Sequence, residues 1–109
     1  MIVDHNAQIP FTSAKAAFGK TINSGQICIA PDYVFVHESK VKEFIEAVQL
    51  RWKQMYGEGK PEGSELQGKM INDFHCNRVK KLIDGAGGTR VCGGNMNKEV
   101  RHIEPTIIL

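Results

Sequence analysis

No stretch of this sequence approaches the roughly 20 consecutive apolar residues that a bilayer-spanning helix needs. The opening MIVDHNAQIP also lacks the basic, then apolar, then small-residue order of a secretory leader. Both absences lead to the expectation of a cytoplasmic chain with no membrane segment. Charge of one sign is missing too. The 14 Lys and Arg nearly balance the 12 Asp and Glu, and the net +2 sets up no strong field toward phosphate backbones or anionic lipid. Nucleic acid is therefore not an expected partner. Cysteine is scarce: Cys28, Cys76 and Cys92 are odd in number and unevenly spaced, which argues against a disulfide framework and for reduced thiols inside a cell. What remains is an ordinary domain composition, 41% hydrophobic and 24% charged. A chain of 109 residues buries roughly two thirds of its unfolded surface, enough for one core and not for two.

The first periodic segment runs from Gln8 to Ile22, where Ala14, Ala17, Phe18, Thr21 and Ile22 recur at helical spacing. Pro10 suits its first turn, where no amide hydrogen is needed. Asn23, Ser24 and Gly25 supply stop chemistry, because Asn and Gly tolerate the left-handed conformation that closes helices. Tyr33 to His37, YVFVH, reads as a short buried strand. Glu38 and Ser39 then open a second helix whose stripe of Val41, Phe44, Ile45, Val48, Trp52, Met55 and Tyr56 falls on one face. Residues 57–68, GEGKPEGSELQG, read as a surface connection. A third helix starts after Asn72, a good N-cap, carries Val79, Leu82 and Ile83, and stops at Gly85. Arg90 to Cys92 and Thr106 to Leu109 look like two further strands. Helices alternating with strands predict an α/β fold with a mostly parallel sheet flanked by helices. A last strand running to Leu109 is expected of a domain cut from something longer.

The loop Asn23-Ser24-Gly25-Gln26-Ile27-Cys28-Ile29-Ala30-Pro31-Asp32 places a cysteine among small residues between a helix exit and a strand. Chemistry in α/β sheets gathers in such loops. Cys28 reads either as a nucleophile or as an apolar filler between Ile27 and Ile29. A nucleophile needs a base, a cation or a helix N-terminus to release its thiolate. The preceding helix offers its C-terminal end, which repels negative charge, and no local argument brings His5 or His37 to Cys28. Other motifs carry bland readings. Gly85-Ala86-Gly87-Gly88 follows a helix and precedes a strand, the reverse of a dinucleotide fingerprint, so it reads as a C-cap and turn. His75, Cys76, Cys92 and His102 lack the paired spacing of a zinc site, so no metal is expected. Mixed charges on the Ser39–Tyr56 helix make its polar face a solvated one rather than a lipid-facing one.

NSGQICIAPDY resembles the active-site signature of the aldehyde dehydrogenases, in which a Gly-Gln-x-Cys run carries the nucleophile. The Ala-Pro-Asp-Tyr after it resembles the class 3, fatty-aldehyde-type branch. The similarity extends to VDHNAQIPFTSAKAAFGK before the cysteine, to MYGEGKPEGSELQGKMINDFHCNRVKKLI after it, and to RHIEPTIIL. Thr21 departs from the pattern, since the position four before the glycine is usually aromatic or aliphatic. The resemblance implies part of a catalytic domain over residues 1–109, with Cys28 as the catalytic residue and Gly25 and Gln26 shaping its loop. It implies an enzyme that oxidises a medium or long-chain aldehyde to its acid with NAD or NADP, through a cysteine thiohemiacetal and a thioester. The oxyanion would rest partly on the Cys28 amide. The Glu-Leu-Gly-Gly-Lys stretch with the general base, the asparagine oxyanion donor, the Gly-rich cofactor segment and Glu-x-Phe-Gly-Pro are not among these residues. No cofactor-binding residue is thus expected in this chain, and the isolated chain is expected to be inactive. The implied partners are the aldehyde and the remainder of a homodimeric parent. The alternatives are a non-catalytic fragment that at most binds a partner, and an acylating variant that passes the thioester to coenzyme A.

Overall fold

The computed structural model describes residues 1–56 and 67–109. The element order is β1 (Ile2–Val3), α1 (Ile9–Thr21), β2 (Phe35–Val36), α2 (Val41–Tyr56), α3 (Asp73–Asp84), β3 (Arg90–Cys92), β4 (Met96–Asn97), β5 (His102–Ile103) and β6 (Ile107–Ile108). Short helical turns, Ile22–Gly25 and Glu38–Lys40, follow α1 and precede α2. The expected surface connection lies largely outside the described residues.

Local chemistry sets the start of α1 and both ends of α3. Pro10 sits in the first turn of α1. The Asn72 side chain accepts a hydrogen bond from the His75 amide at 2.9 Å and so caps α3, while Gly85 closes it with its own amide on Lys81 O. In α2 the apolar stripe buries Phe44, Val48 and Trp52 against α1. Each of these side chains contributes roughly 1.5–3 kcal/mol by leaving water. The opposing face of α1 is not the expected one: Ile9, Ser13, Ala16, Ala17 and Thr21 are buried, and Phe18 is 59% exposed. Small residues let the bulky stripe of α2 approach closely, and the Trp52 indole donates to Ala17 O at 3.3 Å. Ser13 and Thr21 satisfy their buried hydroxyls on carbonyls of their own helix, Pro10 O and Ala17 O.

The strands partly correct the expected topology. β1 and β2 pair in parallel, Ile2 with Phe35 and Val3 with Val36, because α1 intervenes between them. Val3 and Val36 face the α1–α2 core, and Ile2 and Phe35 face outward. The expectation of a mostly parallel sheet does not hold among the described residues: β3 pairs with β6 and β4 with β5, both antiparallel. No helix separates the last four strands, so the chain returns by turns, as at Arg101 N to Lys98 O, and turns reverse direction. β1, β4 and β5 are two residues each, too short to leave a period-2 signal. Cys92 and Ile107 lean on the main core. A second, smaller cluster gathers Met70, Cys76 and Ile103.

Candidate active site

The Cys28 loop starts where α1 stops. Asn23, Ser24 and Gly25 adopt φ of 49°, 55° and 74°, three successive left-handed residues that turn the chain away from the helix axis. This conformation is natural for Gly and tolerable for Asn, but costs Ser about 1–2 kcal/mol. The Ser24 hydroxyl donates to Gly68 O, across 44 residues of sequence, and holds it there. The fit at Gly68 is close: a Cβ on it would lie 3.3 Å from Asn23 Oδ1, so the Asn23 side chain would have to give by a few tenths of an ångström. At the far end of the loop, Lys20 Nζ in the last turn of α1 meets Asp32 Oδ1 at 3.0 Å, tying entry to exit. Gln26 is bonded on both sides of its amide, to Asn23 O, to Lys69 O and from the Ile71 amide.

Within this frame Cys28 is exposed. Its thiol and its backbone N–H hydrogen-bond to nothing among the described residues. His5 and His37 do not serve it. They sit at the ends of β1 and β2 with ring centroids 5.7 Å apart, His5 on Asp4 at 3.0 Å and His37 on Ser39 at 2.9 Å. The other two thiols are packed. Cys76 is 1% exposed in the smaller cluster, and burial, then the Asp73 carboxylate, push its thiol up from the ordinary range. Burial does the same to Cys92, against a weaker pull from the Ile107 backbone. Cys76 and Cys92 are thus packed against apolar neighbours, whereas Cys28 is exposed.

The remaining motifs are scattered over the structure. Cys76 faces the small cluster, Cys92 the main core, and His102 Nε2 lies 3.0 Å from Gln67 Oε1. Among the described residues no three His, Cys, Asp or Glu side chains converge as a metal would require. Among them, too, no helix is long and apolar enough to cross a membrane. Sequence reasoning missed the platform under the loop, namely Gly68, Lys69 and Ile71. That platform is held in turn by Arg101, whose backbone O accepts from Met70 N at 2.8 Å and whose Nη1 donates to Ile71 O at 2.7 Å. Its partners are backbone atoms, which leave no side-chain pattern to read. Arg101 at a φ of 53° was equally invisible.

Comparison with known proteins settles the family. The profile of the aldehyde dehydrogenase family matches residues 1–109. The chain belongs to the aldehyde dehydrogenase family. It is 36% identical over 108 residues to 4,4'-diaponeurosporen-aldehyde dehydrogenase of Staphylococcus aureus, covering 99% of this chain and 23% of that protein. To the dimeric NADP-preferring aldehyde dehydrogenase of Rattus norvegicus it is 36% identical over 107 residues, 98% of this chain and 23% of that one. The solved structure of Staphylococcus aureus AldH in its substrate-bound state superposes with a TM-score of 0.92 at 36% identity, again over 98% of this chain and 23% of the other. The chain therefore spans about a quarter of the length of these aldehyde dehydrogenases. The Gly85–Gly88 turn does not fit the pyrophosphate of a dinucleotide. The Gly85–Gly88 turn lies at the C-terminal end of α3, where the carbonyl dipoles repel a pyrophosphate.

Proposed function

We propose that residues 1–109 are part of the catalytic domain of an NAD(P)-dependent aldehyde dehydrogenase, and that Cys28 is its nucleophile. The single observation that carries the assignment is the placement of Cys28, exposed on a loop pinned at both ends, whereas Cys76 and Cys92 are packed. The thiolate sulfur of Cys28 forms a bond to the aldehyde carbon as the carbonyl π pair moves onto oxygen. The Cys28 N–H, with no acceptor among the described residues, is free to receive that oxyanion. No described carboxylate or imidazole hydrogen-bonds Cys28, and the family resemblance assigns its base, with the residues for NAD or NADP, to parts of the parent protein outside these residues. Ile29, 84% exposed next to Cys28, suits an apolar aldehyde of medium or long chain. The parent is proposed as a cytoplasmic homodimer, in keeping with three free thiols and with the relative described as dimeric.

A two-stranded parallel ladder is stable when both of its faces are covered. The outward face here, Ile2 and Phe35 with Tyr33 nearby in sequence, is apolar and exposed. The remainder of the parent is the proposed cover, and the isolated 109 residues should lack turnover. The test is aldehyde-dependent reduction of NAD or NADP by the longer reading frame. Wild type should turn over, and Cys28→Ser should lose at least about a thousandfold of that rate. A Cys28→Ser protein retaining more than a tenth of wild-type turnover would remove Cys28 from the chemistry.

A further inference from the structure

The Cys28 loop reaches the residue 67–71 platform through two side chains, and only one of them is a carboxamide. Gln26 Nε2 donates to Asn23 O at 2.9 Å and to Lys69 O at 3.1 Å, and Gln26 Oε1 accepts from the Ile71 amide at 2.9 Å. Both amide hydrogens and the carbonyl oxygen are used at once, one bond inside the loop and two across to the platform. Among the uncharged side chains only a primary carboxamide offers two donors and an acceptor at one planar end, and Asn is one methylene shorter. A carboxylate of the same shape would keep the bond from Ile71 but turn one acceptor oxygen toward the carbonyl oxygens of Asn23 and Lys69.

Resting on the reading of Cys28 as nucleophile, we propose that Gln26 is its positioning residue: the Gln26 carboxamide locks the loop to Lys69 and Ile71 and so fixes where the Cys28 thiol and amide stand. Gln26 is two residues from Cys28 and its side-chain bonds go to Asn23, Lys69 and Ile71 rather than to the thiol, so it acts through the backbone. Arg101 extends the same support from behind, since it holds Met70 and Ile71 on their other edge.

The test uses the longer protein with Gln26→Leu, which removes all three bonds at similar size, and Gln26→Glu, which removes the two donated ones. Three signals are read together: hydrogen exchange at the Ile71 amide, the rate of Cys28 carboxamidomethylation across pH, and labelling of Cys76 as a monitor of unfolding. The proposal expects faster exchange at Ile71 in Gln26→Leu, with Gln26→Glu closer to wild type. It also expects the Cys28 rate profile to differ from wild type by about threefold or more at some pH, with Cys76 still protected. An unchanged Ile71 amide overturns it, and so does an unchanged Cys28 profile. Cys76 exposed in step with Cys28 in both variants overturns it as well, because the effect is then general unfolding. The nucleophile reading is judged separately, on the turnover of Cys28→Ser in the longer protein.

Discussion

The two sides of the described molecule are built to different standards. On one, α1 and α2 lock small residues against bulky ones around Val3, Ile9, Phe44, Val48 and Trp52, and Cys92 and Ile107 reinforce them from the far end of the chain. On the other, α3 and the β4–β5 ribbon share a cluster of three buried residues, Met70, Cys76 and Ile103. The Cys28 loop grows from the dense side and is pinned to the sparse one. Its placement is therefore set by the less stable partner, and loosening of residues 67–71 reaches the thiol before the main core feels it.

The sharpest way to break that contrast is to attack each side in turn. Trp52→Ala should cost about 3–5 kcal/mol, a large share of the about 5–15 kcal/mol that holds a domain, and should abolish cooperative unfolding in denaturant. Met70→Ala should leave cooperative melting of the α1–α2 side in place while Cys76 becomes open to alkylation. Equal melting losses from both variants would mean one core rather than two.

A smaller effect follows from pH. Tyr56 and Cys92 line one cavity of about 210 Å³ between α2 and the β3–β6 ribbon. Burial pushes both acids up, with the Thr21 hydroxyl pulling Tyr56 weakly the other way. The folded state then holds these protons more tightly than the unfolded chain. That contribution is complete below the ordinary thiol value of 9.0 and is lost as pH rises beyond it and beyond the phenol's 10.0. The thermal midpoint should fall on the alkaline side. Tyr56→Phe should flatten that fall without loss at neutral pH, because the buried Tyr56 Oη has no hydrogen bond of good geometry among the described residues to forfeit. A steeper fall in Tyr56→Phe would count against this account. Smallest of all, Asn72→Ala should cost about 1 kcal/mol by uncapping α3. The loss should be seen as a shift in denaturation midpoint with unchanged slope, and as faster amide exchange at His75.

The sequence made the helices legible because their signals are local. Asn72, Gly85, Pro10 and the Phe44–Val48–Trp52 stripe each act within a turn or two of where they stand. It also located the Cys28 loop, through the unusual run Asn23-Ser24-Gly25 and the family resemblance. Three things were beyond its reach. The buried face of α1 was misjudged because Ser13 and Ala16 carry little hydropathy, and their burial follows from the size of α2's side chains. The antiparallel pairing was misjudged because alternation of helices and strands held only as far as α3. The platform under Cys28 was not visible at all, because it is made of backbone atoms supplied from 43 to 45 residues further along the chain.

That separation carries a consequence in time. A ribosome adds roughly 5–20 residues each second, so several seconds pass between synthesis of Cys28 and arrival of the Ile71 amide that Gln26 must find. During that interval the thiol exists before its surroundings do, and an electrophile in the cell meets it as a cysteine of an unfinished chain. Damage to the proposed nucleophile should thus depend on the rate of translation as well as on the reactivity of the exposed thiol in the finished protein.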